Sequence, residues 1–414
     1  MKRYISVLLC ALVLVMVFTS CSLVVKSDIV GKDYTEDYKS GEINENVIAA
    51  NTGFAFDIFK QLNSEDADKS IFISPLSIST ALTMTYNGAE TTTLEAMAKA
   101  LGYEGMDREA VNEGYWNLLT HLDNLDKKIE LNIANSIWIR EGQAIEEIFL
   151  NRNKSTFDAQ VDELDFSKDK SADIINDWIS NATKGKIDKM IDPPIDPNIV
   201  MFLINAIYFK GGWKNPFNPE ATFDGTFTSI DGTKRSIRMM YHYGDAEYMK
   251  NDSLRAVRLP YGNGSTSMIA ILPNEDIDIN TFIEGMTEEK LDSIRNSLEV
   301  TEKTTLQIPV FKLEYGIKLL NDSLMALGME EAFGGGADFS GIRPGIAISQ
   351  VLHKAVIEVN EKGSEASAVT VVAMDESAPE DPAIFIANRP FIFIISDDTT
   401  GTILFMGKLA DIDG

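Results

Sequence analysis

The chain has almost no cysteine. Of 414 residues only Cys10 and Cys21 carry a thiol, and both lie at the very start. From Ser22 onward, disulfides, thiol catalysis and thiolate metal sites are excluded. Histidine is nearly as scarce, with His121, His242 and His353 alone. Positive charge is short as well: 37 Lys and Arg stand against 63 Asp and Glu, a formal net charge of −26. Such a surface repels phosphate backbones and anionic membranes, which disfavours nucleic acid and heparin-type partners. Solubility alone accounts for the acidity, so it names no partner. There is no GxSxG elbow, HExxH pair, Walker A loop or GxGxxG turn after a strand. Gly334-Gly335-Gly336 stands as an isolated loop.

The apolar run Ile5–Phe18 is too short for an ordinary membrane span. Preceded by Lys2 and Arg3, it reads as an export signal covering residues 1–20. Phe18-Thr19-Ser20-Cys21 resembles a bacterial lipoprotein box, in which the cysteine is lipidated after cleavage just before it. Phe18 departs from the usual Leu, and an ordinary secretory signal with a chance cysteine is the alternative. Residues 21–46 are polar and acidic and read as a tether that cannot bury a core. Residues 47–414 read as one domain.

Within it, Ala55, Ile58, Phe59 and Leu62 recur at helical spacing. Ile71–Ile73 is a short strand. Ser74 then caps a helix, Pro75 occupies its first position and Gly88 stops it. Thr92 with Glu95 suggests a capping box for the next helix. Residues 107–123 place Val111, Trp116, Leu118, Leu119 and Leu122 on a helix of mixed charge. IELNIANSIWI and VMFLINAIYFKGGW are buried strands, the second with Asn205 in its middle. An amide there must be hydrogen-bonded if buried. Asp231-Gly232 and Gly262-Asn263-Gly264 are hairpin turns. Pro309 suggests a strand start or a sheet edge, and SQVLHKAVIEV is a further buried strand holding His353.

The most unusual stretch is residues 361–391. Between Gly363 and Ala378 there is no Pro, Lys, Arg or large aromatic. The even positions Ser364, Ala366, Ala368, Thr370, Val372 and Met374 are all small or uncharged. Period two puts them on one face of a strand, with Glu365 and Asp375 on the other. Ala, Ser and Glu are weak strand formers, so the segment can be a strand without being committed to one. By itself this is a half-buried strand followed by a surface loop.

The flanks alter that reading. ISPLSIS, FLINAIYFKG, VLHKAVIEVNEKGSEASA and NRPFIFII resemble the serpins over residues 51–411. The resemblance implies an α+β serpin fold of three β-sheets, about eight or nine helices and an exposed reactive-centre loop. It implies an inhibitor of serine proteases, not an enzyme, with no catalytic residue, cofactor or metal of its own. The target attacks the loop, forms a covalent acyl-enzyme, and is trapped when the loop inserts into a sheet. Glu361, Gly363, Ser364, Glu365, Ala366, Ser367 and Ala368 match the loop hinge. Ser74, Ser77, Asn205 and His353 match the polar shutter beneath the sheet, with His353 bonding Asn205. Trp213 matches the breach, where insertion starts. On the residues alone, Ser74 is a cap, Asn205 a satisfied amide and His353 a core histidine.

Counting sixteen positions from Glu361 places the cleaved bond at Ser377–Ala378, with Glu376 as the runner-up. No Lys or Arg lies between Lys362 and Arg389, which argues against trypsin-like targets. A small residue at the cut suits elastase-like or subtilisin-like proteases. The helix over 107–123 is not basic, so a heparin-type cofactor is not implied. A non-inhibitory serpin serving as a binding protein is the alternative. A lipoprotein hydrolase using Ser74 and His353 ranks far below, for want of a nucleophile elbow. The expected location is the cell surface or the extracellular space, with membrane contact only through the lipid on Cys21. Cys21→Ala should release the protein from membranes; equal membrane fractions for mutant and wild type would remove the lipoprotein reading.

Overall fold

A computed structural model describes residues 43–364 and 383–412. The signal, the tether and Cys21 lie outside the described residues. So do Glu365, Ala366, Ser367 and Ala368 of the hinge, and Glu376, Ser377 and Ala378 at the bond.

The chain opens with α1 (Glu45–Glu65), capped by the Asn44 side chain, which accepts the Asn46 N–H at 3.0 Å. β1 (Ile71–Ile73) leads through Ser74 into α2 (Pro75–Tyr86). Then come α3 (Thr91–Ala100), α4 (Arg108–Asp123), β2 (Ile129–Arg140), α5 (Glu147–Phe157), β3 (Gln160–Leu164), α6 (Asp169–Ala182) and β4 (Met201–Gly212). A run of strands follows: β5 (Phe223–Thr228), β6 (Lys234–Lys250), β7 (Leu254–Tyr261) and β8 (Thr266–Pro273). After α7 (Ile279–Glu284) and α8 (Glu288–Ser297) come β9 (Glu299–Pro309), β10 (Phe311–Glu314) and β11 (Lys318–Leu319). α9 (Asn321–Leu324) passes through a π-type turn at Met325–Met329 into α10 (Glu330–Phe333). The remaining strands are β12 (Leu352–His353), β13 (Val356–Val359), β14 (Gly363–Ser364), β15 (Ile384–Ile386), β16 (Phe391–Asp397) and β17 (Ile403–Leu409). With α9 and α10 counted as one kinked helix, nine helices stand among the described residues.

Two of the three expected sheets share the long strand β6. Its first part pairs β5 and β9, and β9 carries β15 in parallel. Its last residues pair β7, from which β8, β16, β17 and β1 follow. The third sheet runs β14-β4-β2-β3. The ladder β10-β13 and the ladder β11-β12 stand apart from it.

α2 lies almost wholly buried, although it carries Ser77, Ser79, Thr80, Thr83 and Thr85. Four of these hydroxyls fold back on the helix. Ser79 and Thr80 donate to Leu76 O, Thr83 to Ser79 O and Thr85 to Ala81 O, at 2.6–3.1 Å. A buried hydroxyl bonded to its own preceding turn leaves no orphan donor. That is how so polar a helix packs against β4 and β17.

A local sequence signal misplaces one feature. Thr92 is inside α3 and makes no capping box; the N-cap is Glu90, with no side-chain cap bond. Asp338 serves instead: its carbonyl takes the Glu90 N–H, and its carboxylate takes the Thr91 hydroxyl at 2.9 Å. A partner distant in sequence thus replaces the cap. Pro309 is the last residue of β9, not a strand start; it pairs Met239 of β6 and lies past the β15 ladder, so it fits the sheet-edge alternative among the described residues.

Lys408 of β17 is fully buried. Its Nζ donates to Asn63 Oδ1 at 2.7 Å, Ala67 O at 2.8 Å, Asn280 Oδ1 at 3.1 Å and Asp66 O at 3.3 Å. One ammonium therefore joins the end of α1 and the start of α7 to the sheet. Lys408→Met keeps most of the volume but orphans these acceptors, each costing about 1–3 kcal/mol when buried. The urea midpoint should fall clearly; a midpoint within error of wild type would mean these acceptors reach water.

Candidate functional site

β13 and β14 form a hairpin whose closing bridge is Asn360–Gly363. Its backbone is fixed from several sides. Trp213 Nε1 donates to Asn360 O at 2.9 Å, and Trp213 N to Lys362 O at 3.0 Å. Glu361 accepts the Thr222 hydroxyl at 2.8 Å, and its carbonyl accepts Phe217 N at 2.9 Å. The Trp213 ring stacks on Tyr261 with centroids 4.4 Å apart. Tyr261 OH lies 3.0 Å from Ser364 Oγ. Gly363 has φ +130°, and a Cβ there would sit 2.3 Å from Gly211 O. Only glycine fits so close to β4.

The hinge thus begins inside the sheet. Gly363 pairs Gly212, and Ser364 pairs Gly211. Ser364, first of the even positions, is 3 % exposed. Beyond Gly211 no described strand pairs this edge of β4. A cavity of about 250 Å³ lies between the first half of β4 and residues 350–353, floored by Ser77 and Ile78 of α2. A smaller one separates Ile207, Tyr208 and Phe209 from Val356, Ile357 and Glu358.

Ser74 and His353 meet directly. The Ser74 N–H donates to His353 Nε2 at 3.1 Å, so the neutral ring carries its proton on Nδ1. Ser74 Oγ donates to Leu404 O at 2.8 Å and accepts Ser77 N at 3.2 Å, the expected cap. The expected bond from His353 to Asn205 is not present. Asn205 Nδ2 donates instead to Asn135 Oδ1 at 2.8 Å, across the β2–β4 ladder where the two residues face each other. Its Oδ1 is buried and has no partner among the described residues. Both Asn205 and His353 line the larger cavity.

The residues missed from sequence are Tyr261, Asn135, Thr222 and Asn360. Asn135 carried the same signal as Asn205, an amide within an apolar strand. Tyr261 carried none, because its role depends on two other strands.

Among the described residues the third sheet of this α+β body stops beside the two-residue strand β14, which leaves room in that sheet for one more strand. The comparisons agree. A family model described as Serpin (serine protease inhibitor) matches residues 49–412. An uncharacterized serpin-like protein of Methanosarcina mazei is 32% identical over 421 residues, covering 98% of this chain and 97% of that one. The leukocyte elastase inhibitor of Sus scrofa is 33% identical, covering 88% and 99%. The solved structure of a thermophilic serpin, tengpin, in the native state aligns with a TM-score of 0.81 at 33% identity, covering 91% and 96%. The chain belongs to the serpin family and is not an enzyme.

Burial pushes His353 down to about 4, from the ordinary 6.5. The unfolded chain therefore binds a proton that the folded one refuses between those values. This contribution is fully present above pH 6.5 and is lost as pH falls toward 4, on the order of 3 kcal/mol. Protonation also removes the acceptor for Ser74. His353→Gln should flatten the acid limb of thermal stability relative to wild type; parallel curves for the two proteins would rule out His353 as the titrating group.

Proposed function

We propose that the protein inhibits serine proteases as a suicide substrate, by cleavage of its loop and insertion of the cleaved strand beside β4. The observation that carries this reading is a coincidence of register. β14 extended along β4 without a bulge sets Thr370 opposite Asn205. The hairpin closed by Asn360–Gly363, extended back along its own first strand, sets the same Thr370 opposite His353. A hydroxyl both donates and accepts. Thr370 would give its proton to the orphan Oδ1 of Asn205 and accept the Nδ1–H of His353. Each group in the cavity then gains the partner it lacks.

The same extension pairs Glu365 with Lys210 and Met374 with Met201, the full length of β4. At about 1 kcal/mol net per hydrogen bond, the ladder supplies on the order of 10 kcal/mol. That compares with the 5–15 kcal/mol stability of an entire protease domain. The even residues would share the buried face of Ser364, and all are small or uncharged. Ser377–Ala378 is the proposed bond, with Glu376 the next choice, and elastase-like or subtilisin-like proteases are the proposed targets. The likeness to an elastase inhibitor supports that choice. Export and a lipid anchor on Cys21 belong to the same reading.

A protease panel followed by denaturing electrophoresis tests it. A covalent complex should form, and its denaturation should free a peptide beginning at Ala378. Thr370→Pro should turn the inhibitor into a substrate, since it removes a ladder donor. Thr370→Val should form less complex and leave the cleaved form less stable by about 1–3 kcal/mol. Complexes at wild-type stoichiometry from Thr370→Pro would sink the insertion reading. Cleavage without any complex would favour a non-inhibitory binding protein.

A further inference from the structure

Asn205 leaves its carbonyl oxygen, not its NH2, without a partner, and the reason lies outside Asn205. The two ends of a side-chain amide are nearly equal in shape and opposite in chemistry, so its partners set its direction. Asn135, 5 % exposed, supplies the partner here. Its Nδ2 donates to the Phe157 carbonyl at 2.8 Å, and its Oδ1 accepts from Asn205 Nδ2 at 2.8 Å. A peptide carbonyl only accepts. It therefore draws the NH2 of Asn135 toward itself and turns Oδ1 of Asn135 toward Asn205. That oxygen also only accepts, so Asn205 must offer its NH2. What remains is Asn205 Oδ1, buried and unpartnered among the described residues, on a side chain that lines the cavity beside β4.

The carbonyl that starts this relay is firmly held. Phe157 is the last residue of α5, where helix carbonyls lack a partner within the helix. Asp158 turns the chain left-handed at φ 50°, and β3 then pairs Gln160 with Ser136, the neighbour of Asn135. The Phe157 ring packs on Tyr115 with centroids 5.5 Å apart, and Tyr115 OH donates to Asn51 Oδ1 at 3.0 Å. Capping α5 explains one end of Asn135. It does not explain why the other end holds a residue whose free atom belongs to the cavity. We propose that Asn135 is a positioning residue for loop insertion: by fixing the Asn205 amide it makes the β4 wall an acceptor and selects a hydroxyl on the incoming strand. This rests on the inhibitory reading and adds a residue to it. His353, with its proton on Nδ1, is the donor on the other wall. A hydroxyl matches both. With the Asn205 amide reversed, both walls donate. A Thr370 hydroxyl can accept from both, but its own proton is then buried without an acceptor. The end of α5 thereby decides which side chain the cavity takes at this register.

The test is a double-mutant cycle between Asn135 and Thr370, read as inhibitor consumed per protease trapped, with a protease that the full chain traps. Asn135→Leu keeps the shape and frees Asn205 to turn. It should raise this stoichiometry about fivefold, the weight of one net hydrogen bond. In Thr370→Val no hydroxyl needs the acceptor, so adding Asn135→Leu should change the stoichiometry less than about twofold. Asn135→Asp still accepts from Asn205 Nδ2, while its second oxygen faces the Phe157 carbonyl, acceptor against acceptor. It should lower the thermal midpoint and keep stoichiometry near wild type. Equal effects of Asn135→Leu in both backgrounds reduce Asn135 to a helix cap and overturn the proposal alone. So does an Asn135→Asp stoichiometry as poor as that of Asn135→Leu, or a wild-type stoichiometry in Asn135→Leu. If Asn135→Leu does not fold, Asn135→Ala enters the same cycle, since a water in the vacated space satisfies the Phe157 carbonyl without fixing Asn205; a smaller effect with the same dependence on Thr370 is expected. A wild type that traps no protease overturns the inhibitory reading and this one with it.

Discussion

The structure depends on an edge left without a ladder. Backbone N–H and C=O groups are obligatory hydrogen-bonding groups, and a strand edge is a template for another strand. Among the described residues, β4 is laddered by β2 along one side and by only Gly363 and Ser364 along the other. Everything around the slot holds its sides in place without filling it. α2 forms the floor, the Trp213–Tyr261 stack closes the top, and Ser74 ties His353 to the floor. Glycine stands where the stub enters: a Cβ on Gly363 would collide with the backbone of Gly211, Gly212 and Trp213.

The contacts of Ser74 show why a short polar cluster can govern a large sheet. Its N–H, its hydroxyl oxygen as donor and the same oxygen as acceptor reach β12, β17 and the first turn of α2. All are buried, so each bond lies in a medium where leaving it unmade is costly. A displacement of β12 is therefore felt at once in the helix beneath. Coupling of this kind needs packed elements with few alternative positions, which the stacks of Phe72 on Phe393 and Phe405 supply in β1, β16 and β17.

Much of this was legible in sequence, and the boundary is physical. Ser74-Pro75 announced a capped helix because capping is chemistry within four residues. The amide in the apolar run around Asn205 announced a buried polar site because burial demands a partner. Sequence could not say which partner. His353 and Asn135 are both plausible for Asn205, and the choice follows from the β2–β4 register, which sets Asn135 opposite it. Thr92 and Glu95 had the right spacing for a capping box, yet Asp338, far along the chain, satisfied that helix start. Signals carried within a turn or a strand survived; those decided by pairings of distant segments did not.

The pairing of β1 with β17 sets Ile71 beside Lys408, and Lys408 in turn holds Asn63 and Asn280. The first strand of the domain thus waits for one of its last. No shorter N-terminal portion can close the central core, since β16 and β17 occupy the middle of that sheet between β8 and β1. Contacts spanning most of the chain are slow to form and leave apolar surface open meanwhile. A ribosome still holding β17 therefore holds an unfinished molecule. The slot beside β4 is settled only after residues far downstream have been delivered, so the time of delivery is part of how the open sheet is reached.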